Sequence, residues 1–234
     1  MSMAVGLACG LAVAPIAAAG TGLTLVDADA WDGPGLGGPF EVSYDGPGDH
    51  PGAGNFGVAS DDHFITFCME YREYIEEGGT YDVQISDRTK GRYGEDPLDT
   101  RTAFLYTSFV EGTLDDAFAD WAGDSDFTFD YLDPTSGEAM QEAIWTIEGD
   151  SGFAAMTPEF SADLIAFADD AVAEGGAWYG MGIGRVRVLN LTENGESRQD
   201  MLTFVPLPAP VLLGVIGLGF GTLAGRRRRG VTSP

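Results

Sequence analysis

Apolar residues recur at three- and four-residue intervals through the middle of the chain, with β-type patterns on either side. The first spacing predicts helices over 100–111, 114–121, 138–148 and 159–174. Residues 63–71 form a run of aromatic and β-favouring side chains, predicting a strand with Cys68 inside it. A second strand is predicted over 81–86. A short one over 40–44 lies between the Gly-, Pro- and Asp-rich stretches DGPGLGGPF and DGPGDHPGAG, which signal turns and loops. Segments 184–191 and 200–205 read as the strands of a hairpin around Asn194-Gly195. Strands thus flank a helical middle. This predicts an α+β fold: a β-sheet or barrel with an inserted small helical subdomain at about 98–175.

The two ends follow neither pattern. Residues 4–19, AVGLACGLAVAPIAAA, are small and apolar and finish in Ala17-Ala18-Ala19 before Gly20, as a signal peptide of residues 1–19 would. Met1-Ser2-Met3 lacks the usual positive charge. Cys9 reads as part of this leader rather than a lipid anchor, because Gly6 stands three residues before it and the apolar run continues past it. At the other end, an apolar, Gly-rich segment over 210–225 is followed by Arg226, Arg227, Arg228 and Arg229. Those arginines orient the segment with its basic end cytoplasmic and everything before it outside. Its 16 residues are short for a permanent span and suit transient inner-membrane insertion. Val205-Pro206-Leu207-Pro208-Ala209, the apolar segment and the Arg cluster together resemble the VPLPA variant of PEP-CTERM sorting signals. The resemblance covers residues 205–234. It implies processing by an exosortase-type membrane enzyme of a Gram-negative, polysaccharide-producing bacterium; the alternative is a plain C-terminal anchor.

Between these ends, residues 20–204 suffice for a single domain. This stretch holds all 37 acidic residues and eight of the 12 basic ones, so its net charge is −29 against −25 for the whole chain. Such a balance argues against nucleic acid as a partner, since phosphate contacts need a basic face. It suits solubility in a salty external medium, or attraction of amine-rich partners.

Candidate chemistry concentrates in two places. In DPTSGEAMQEAIWTIEGD, Thr135 and Glu138 are spaced as a capping box near Pro134, and Met140, Ala143, Ile144 and Ile147 form an apolar stripe. Gln141 and Trp145, one turn apart, lie beside that stripe. Taken alone, the pair reads as a core-edge Gln bonded to a loop backbone and a Trp used for packing. Phe67-Cys68-Met69 and Met140-Gln141-x-x-Ile144-Trp145 together, however, resemble the two motifs of bacterial thioester domains of the surface-adhesin type. The resemblance implies that Cys68 and Gln141 form an internal thioester with loss of ammonia, surrounded by Phe67, Met69, Met140, Ile144 and Trp145. An incoming amine on a protein, polyamine or amino-sugar partner would then be captured as a stable amide. No cofactor is implied, and the event is a single turnover rather than an enzymatic cycle.

The chemistry is self-consistent. A carboxamide is a poor electrophile and a thiol is mostly protonated at neutral pH, so the reaction depends on enforced proximity and exclusion of water. With Cys9 removed, Cys68 has no intramolecular cysteine to divert it into a disulfide. Against it, free buried Cys is common as a small hydrophobe, and the negative field is expected to raise the thiol pKa.

Other constellations are weaker. Asp27, Asp29 and Asp32 with Gly33 imitate a calcium loop, but Trp31 occupies a ligand position. Asp124, Asp126, Asp130 and Asp133 read as solvated acids. His50 and His63 are the only histidines and lack zinc-site spacing. No G-x-S-x-G stretch exists, and nothing singles out a carboxylate pair for glycoside cleavage. The sequence therefore predicts an exported cell-surface or matrix protein with covalent amine chemistry. The alternative is a non-covalent extracellular matrix or biofilm structural protein, with or without calcium.

Overall fold

The computed structural model describes residues 19–27, 39–44, 63–91, 94–123, 126–150 and 152–205. Residues 1–18 of the leader assigned to 1–19, with Cys9, the Asp29–Asp32–Gly33 loop, His50, Asp124 and the sorting signal from Pro206 through Arg229 lie outside the described residues.

Among the described residues, seven strands form one antiparallel sheet. β1 (Ala19–Asp27) lies between β2 (Phe40–Tyr44) and β4 (Thr80–Ser86), and β3 (His63–Thr66) continues beyond β2. On the other side β4 pairs with β5 (Val186–Glu193), and both β6 (Glu196–Ser197) and β7 (Met201–Phe204) pair with β5. In β4 the alternation is plain: Tyr81, Val83 and Ile85 are buried while Thr80, Asp82 and Gln84 are exposed. Asn194 and Gly195 both take positive φ, 52° and 83°, in the tight turn from β5 to β6. The partner predicted over 200–205 is a separate strand, β7.

β1 is the element the sequence reading missed. Its Leu23-Thr24-Leu25 alternation, with both leucines buried, was obscured by the apolar run before it. Ala19, assigned to the leader, is the first residue of this strand and pairs with Gln84.

Among the described residues, four helices supply the second layer: α1 (Thr100–Val110), α2 (Leu114–Ala122), α3 (Pro134–Ile147) and α4 (Pro158–Val172). α3 starts four residues before the predicted 138. Its cap is Asp133, whose side chain accepts the Thr135 amide proton at 2.8 Å, so Thr135 lies inside the helix rather than capping it.

The core has two parts, one on each side of residues 67–69. Phe67, Met69, Tyr106, Phe109, Met140, Ile144 and Leu164 fill the space between helices and sheet. Leu23, Leu25, Val42, Phe64, Cys68, Leu189, Leu191 and Met201 fill the concave side of the sheet, and Trp145 reaches into it from α3.

The sheet is not a closed barrel. Its two ends approach at one place, just past β3, where Cys68 lies opposite Met201 of β7 in a single antiparallel bridge. The flanking bonds run from Leu202 N to Phe67 O (3.2 Å) and from Met69 N to Asp200 O (2.9 Å). Cys68 therefore lies beyond the strand that was predicted to contain it, at the seam of the curled sheet.

Candidate functional site

The seam fixes which way the Cys68 main chain points. In antiparallel pairing, the residues that flank a non-hydrogen-bonded pair make the ladder bonds, and the paired residues turn their own N–H and C=O away. Phe67 and Met69 bond to β7, so Cys68 presents both groups to the opposite side. β2 would pair there, but its register with β3 ends at Phe40↔Thr66. Two main-chain groups of a fully buried residue are thus left to be satisfied from elsewhere.

Gln141 satisfies both. Its Oε1 accepts the Cys68 N–H at 2.9 Å, and its Nε2 donates to the Cys68 carbonyl at 2.9 Å. The carboxamide acts as a one-residue strand laid along Cys68, and its Oε1 and Nε2 each meet a partner. Gln141 is only 2% exposed, so these bonds form where water does not compete. The two sequence motifs, 73 residues apart, are in direct contact.

The predicted surround divides. Trp145 shares the concave core with Cys68, meeting Tyr71 edge-on (centroids 5.0 Å apart) and Phe153 at a tilt (5.2 Å). Its buried indole Nε1 has no hydrogen-bond partner among the described residues. Phe67, Met69, Met140 and Ile144 pack on the helix side instead, where Phe67 meets Phe109 edge-on at 5.2 Å. They fix the strand and the helix to each other and do not share the concave cluster around the thiol. α3 is held in turn by Glu142, next to Gln141. The buried Glu142 carboxylate accepts the main-chain N–H of Met156, both N–H and Oγ1–H of Thr157, and so caps α4, whose Thr157 supplies no side-chain cap.

Electrostatics at the site are dominated by burial. Desolvation pushes the Cys68 thiol well above its usual range, and the neighbouring Glu70 raises it further. The expectation of a raised thiol pKa holds, with burial rather than the overall negative field as the main cause. Glu70 itself is pushed up to about 9, first by burial and then by Asp200, Glu73 and Asp150. Asp150 receives the Tyr71 N–H at 2.7 Å. Glu70, Tyr71, Asp150, Phe153 and Asp200 were not singled out from the sequence. Among 37 acidic residues a buried carboxyl has no local signature, although the position of Glu70, two residues after Cys68, offered a pointer.

Elsewhere, Asp130 receives the Leu132 N–H, a local turn contact, and His63 Nδ1 lies 2.6 Å from Glu41 Oε1. Among the described residues no group of three or more His, Cys, Asp and Glu could hold a metal ion, and no helix is long and apolar enough to cross a membrane. Val205, first residue of the VPLPA stretch, is tied to the sheet edge: its N–H donates to Arg185 O and its carbonyl accepts from Arg185 Nε. No family model, curated protein or solved structure matches this chain.

Proposed function

We propose that this is an exported surface or matrix protein in which Cys68 and Gln141 form an internal thioester that captures amines covalently. One observation carries the reading: the Gln141 carboxamide is seated by two hydrogen bonds on the main chain of the very residue that bears the thiol. Attack of Cys68 Sγ on Gln141 Cδ forms the C–S bond, breaks C–N, and releases Nε2 as ammonia carrying the thiol proton. The Cys68 N–H already aimed at Oε1 is placed to stabilise negative charge building on that oxygen. In the second step an amine nitrogen bonds to Cδ, the C–S bond breaks, and one amine proton returns to sulfur. Burial of both residues supports survival of the intermediate against water. The sorting-signal resemblance supports an outer location reached through exosortase-type processing, and the −29 charge of residues 20–204 suits cationic amine partners.

The same two bonds also favour a second reading. They give both polar atoms of a buried carboxamide a partner, so Gln141 is explained as a structural strand-end cap in a non-covalent matrix protein. Intact mass of purified residues 20–204, fresh and after methylamine, separates the two. The thioester predicts a fresh mass one ammonia below the sequence value, rising by one methylamine in wild type and unchanged in Cys68→Ala. A fresh mass equal to the sequence value, with Cys68 alkylated only after unfolding, rejects the thioester in favour of the cap.

A further inference from the structure

We propose that Glu70 is the proton-transfer residue of this site, donating to the atom that leaves Gln141 Cδ and taking back the proton of the atom that attacks it. The inference rests on the thioester reading and adds to it the group that reaction lacks. A buried neutral thiol and a neutral carboxamide cannot exchange without moving a proton, and neither the Cys68 main chain nor the aromatic cluster can carry one.

The placement comes from the seam. Successive side chains from Phe67 alternate between the two cores: Phe67 and Met69 face the helices, and Cys68 faces the concave side. Glu70 follows the bend at Met69 and lies close enough for its charge to act on the Cys68 thiol. Its carboxyl then folds back along β7, with Oε2 accepting the Asp200 N–H at 3.0 Å, one residue from the Met201 that lies opposite Cys68. The remaining oxygen, Oε1, is buried and has no hydrogen-bond partner among the described residues. The main chain presses against it, since a Cβ on Gly91 would come within 2.5 Å of Oε1. Gln199 fixes the residue from the other side, its Nε2 donating to Glu70 O at 2.7 Å.

Its neighbours decide its protonation. The titratable groups acting on it are Cys68, Glu73, Asp150 and Asp200. Asp200 receives Lys90 N–H, Asn190 Nδ2 and Leu191 N–H, which stabilise its anion. Glu70 receives one such bond, so of the two carboxyls it is Glu70 that keeps the proton. Asp200 also lines an open cavity of about 380 Å³ with Lys90 and Asn190.

In thioester formation the Glu70 proton goes to departing Nε2, giving ammonia, and the Cys68 thiol proton replaces it on Oε1. In amine capture the Glu70 proton goes to departing Sγ, and the attacking nitrogen restores it. Each step returns Glu70 protonated and creates no net buried charge.

The test uses the full mature chain, hydroxylamine as nucleophile because its nitrogen is uncharged from neutrality upward, and intact mass as readout. Wild type is expected to capture hydroxylamine at a steady rate through neutral pH and to slow as pH rises through about 9, where Glu70 loses its proton. Glu70→Gln is expected to show the ammonia deficit in a smaller fraction of molecules. It should capture on the order of 100-fold more slowly, without the alkaline fall. Equal rates and equal profiles in both proteins overturn the role of Glu70 while leaving the thioester intact. A flat wild-type profile overturns it even where the variant fails to fold. Absence of the ammonia deficit in wild type overturns the thioester and this inference together.

Discussion

Replacing Gln141 with Leu in a Cys68→Ala background isolates the non-covalent part of the site, because no thiol remains to react. Alanine keeps the main-chain N–H and C=O at position 68, and Leu nearly fills the volume of Gln, so the change removes two hydrogen bonds and little packing. Both bonds are 2.9 Å long and buried. Each orphaned buried main-chain group costs about 1–3 kcal/mol. Relief of the dehydrated amide offsets part of this, leaving about 3 kcal/mol. With a urea dependence of about 2 kcal/mol per molar, the midpoint should fall by about 1.5 M between Cys68→Ala and the double variant. Amide exchange at position 68 should lose its protection in the same comparison. A midpoint shift below ~0.3 M with protection retained would refute the reasoning, because residue 68 would then be satisfied without Gln141.

Two further outcomes follow from the same geometry. Glu70 and Glu148 sit at about 9 and about 7 in the folded protein, both raised chiefly by burial from an ordinary carboxyl value of 4.5. A carboxyl with a raised folded pKa binds more protons folded than unfolded. Stability therefore falls as pH climbs through the folded value and is regained on acidification toward the unfolded one. A tenfold difference in proton affinity between the folded and unfolded chain is worth about 1.4 kcal/mol. Lowering pH from 8 to 5.5 should accordingly add on the order of 5 kcal/mol and raise Tm by about 10–20 °C; a Tm that falls over this window would contradict it. Glu142→Ala should lower stability by about 2–3 kcal/mol, because it uncaps α4 and leaves buried N–H groups at Met156 and Thr157 without an acceptor. Urea unfolding measures this, and a loss below ~0.5 kcal/mol would mean that water replaces the carboxylate.

The helices and most strands were legible because their burial is periodic. The Met140–Ala143–Ile144–Ile147 stripe is buried as its spacing implied. The misses share another cause. Nothing in the run 63–71 marks the switch from β2 to β7 as partner, because strand pairing is set by main chains far apart in sequence and the same side chains suit either neighbour. Cys68 and Gln141 were recognisable as a pair from their motifs. Their meeting through the Cys68 main chain was not, since main-chain groups carry no residue identity. Glu70 was hidden for a different reason: only the tertiary contacts of its carboxyl, with Asp200 above all, distinguish it from the other acids.

The seam also dictates an order of assembly. Residues 66 and 202, which bond across it, are 136 positions apart, so this contact carries one of the larger loop-closure penalties in the domain. Until Leu202 has been synthesised and docked, residues 67–69 have no β7 to pair with, and the orientation of Cys68 toward Gln141 is undefined. A chain still being made therefore carries an unset thiol, and the site matures only once β7 closes on it. Any chemistry at Cys68 is in this sense a late event, which reports that the fold behind it is complete.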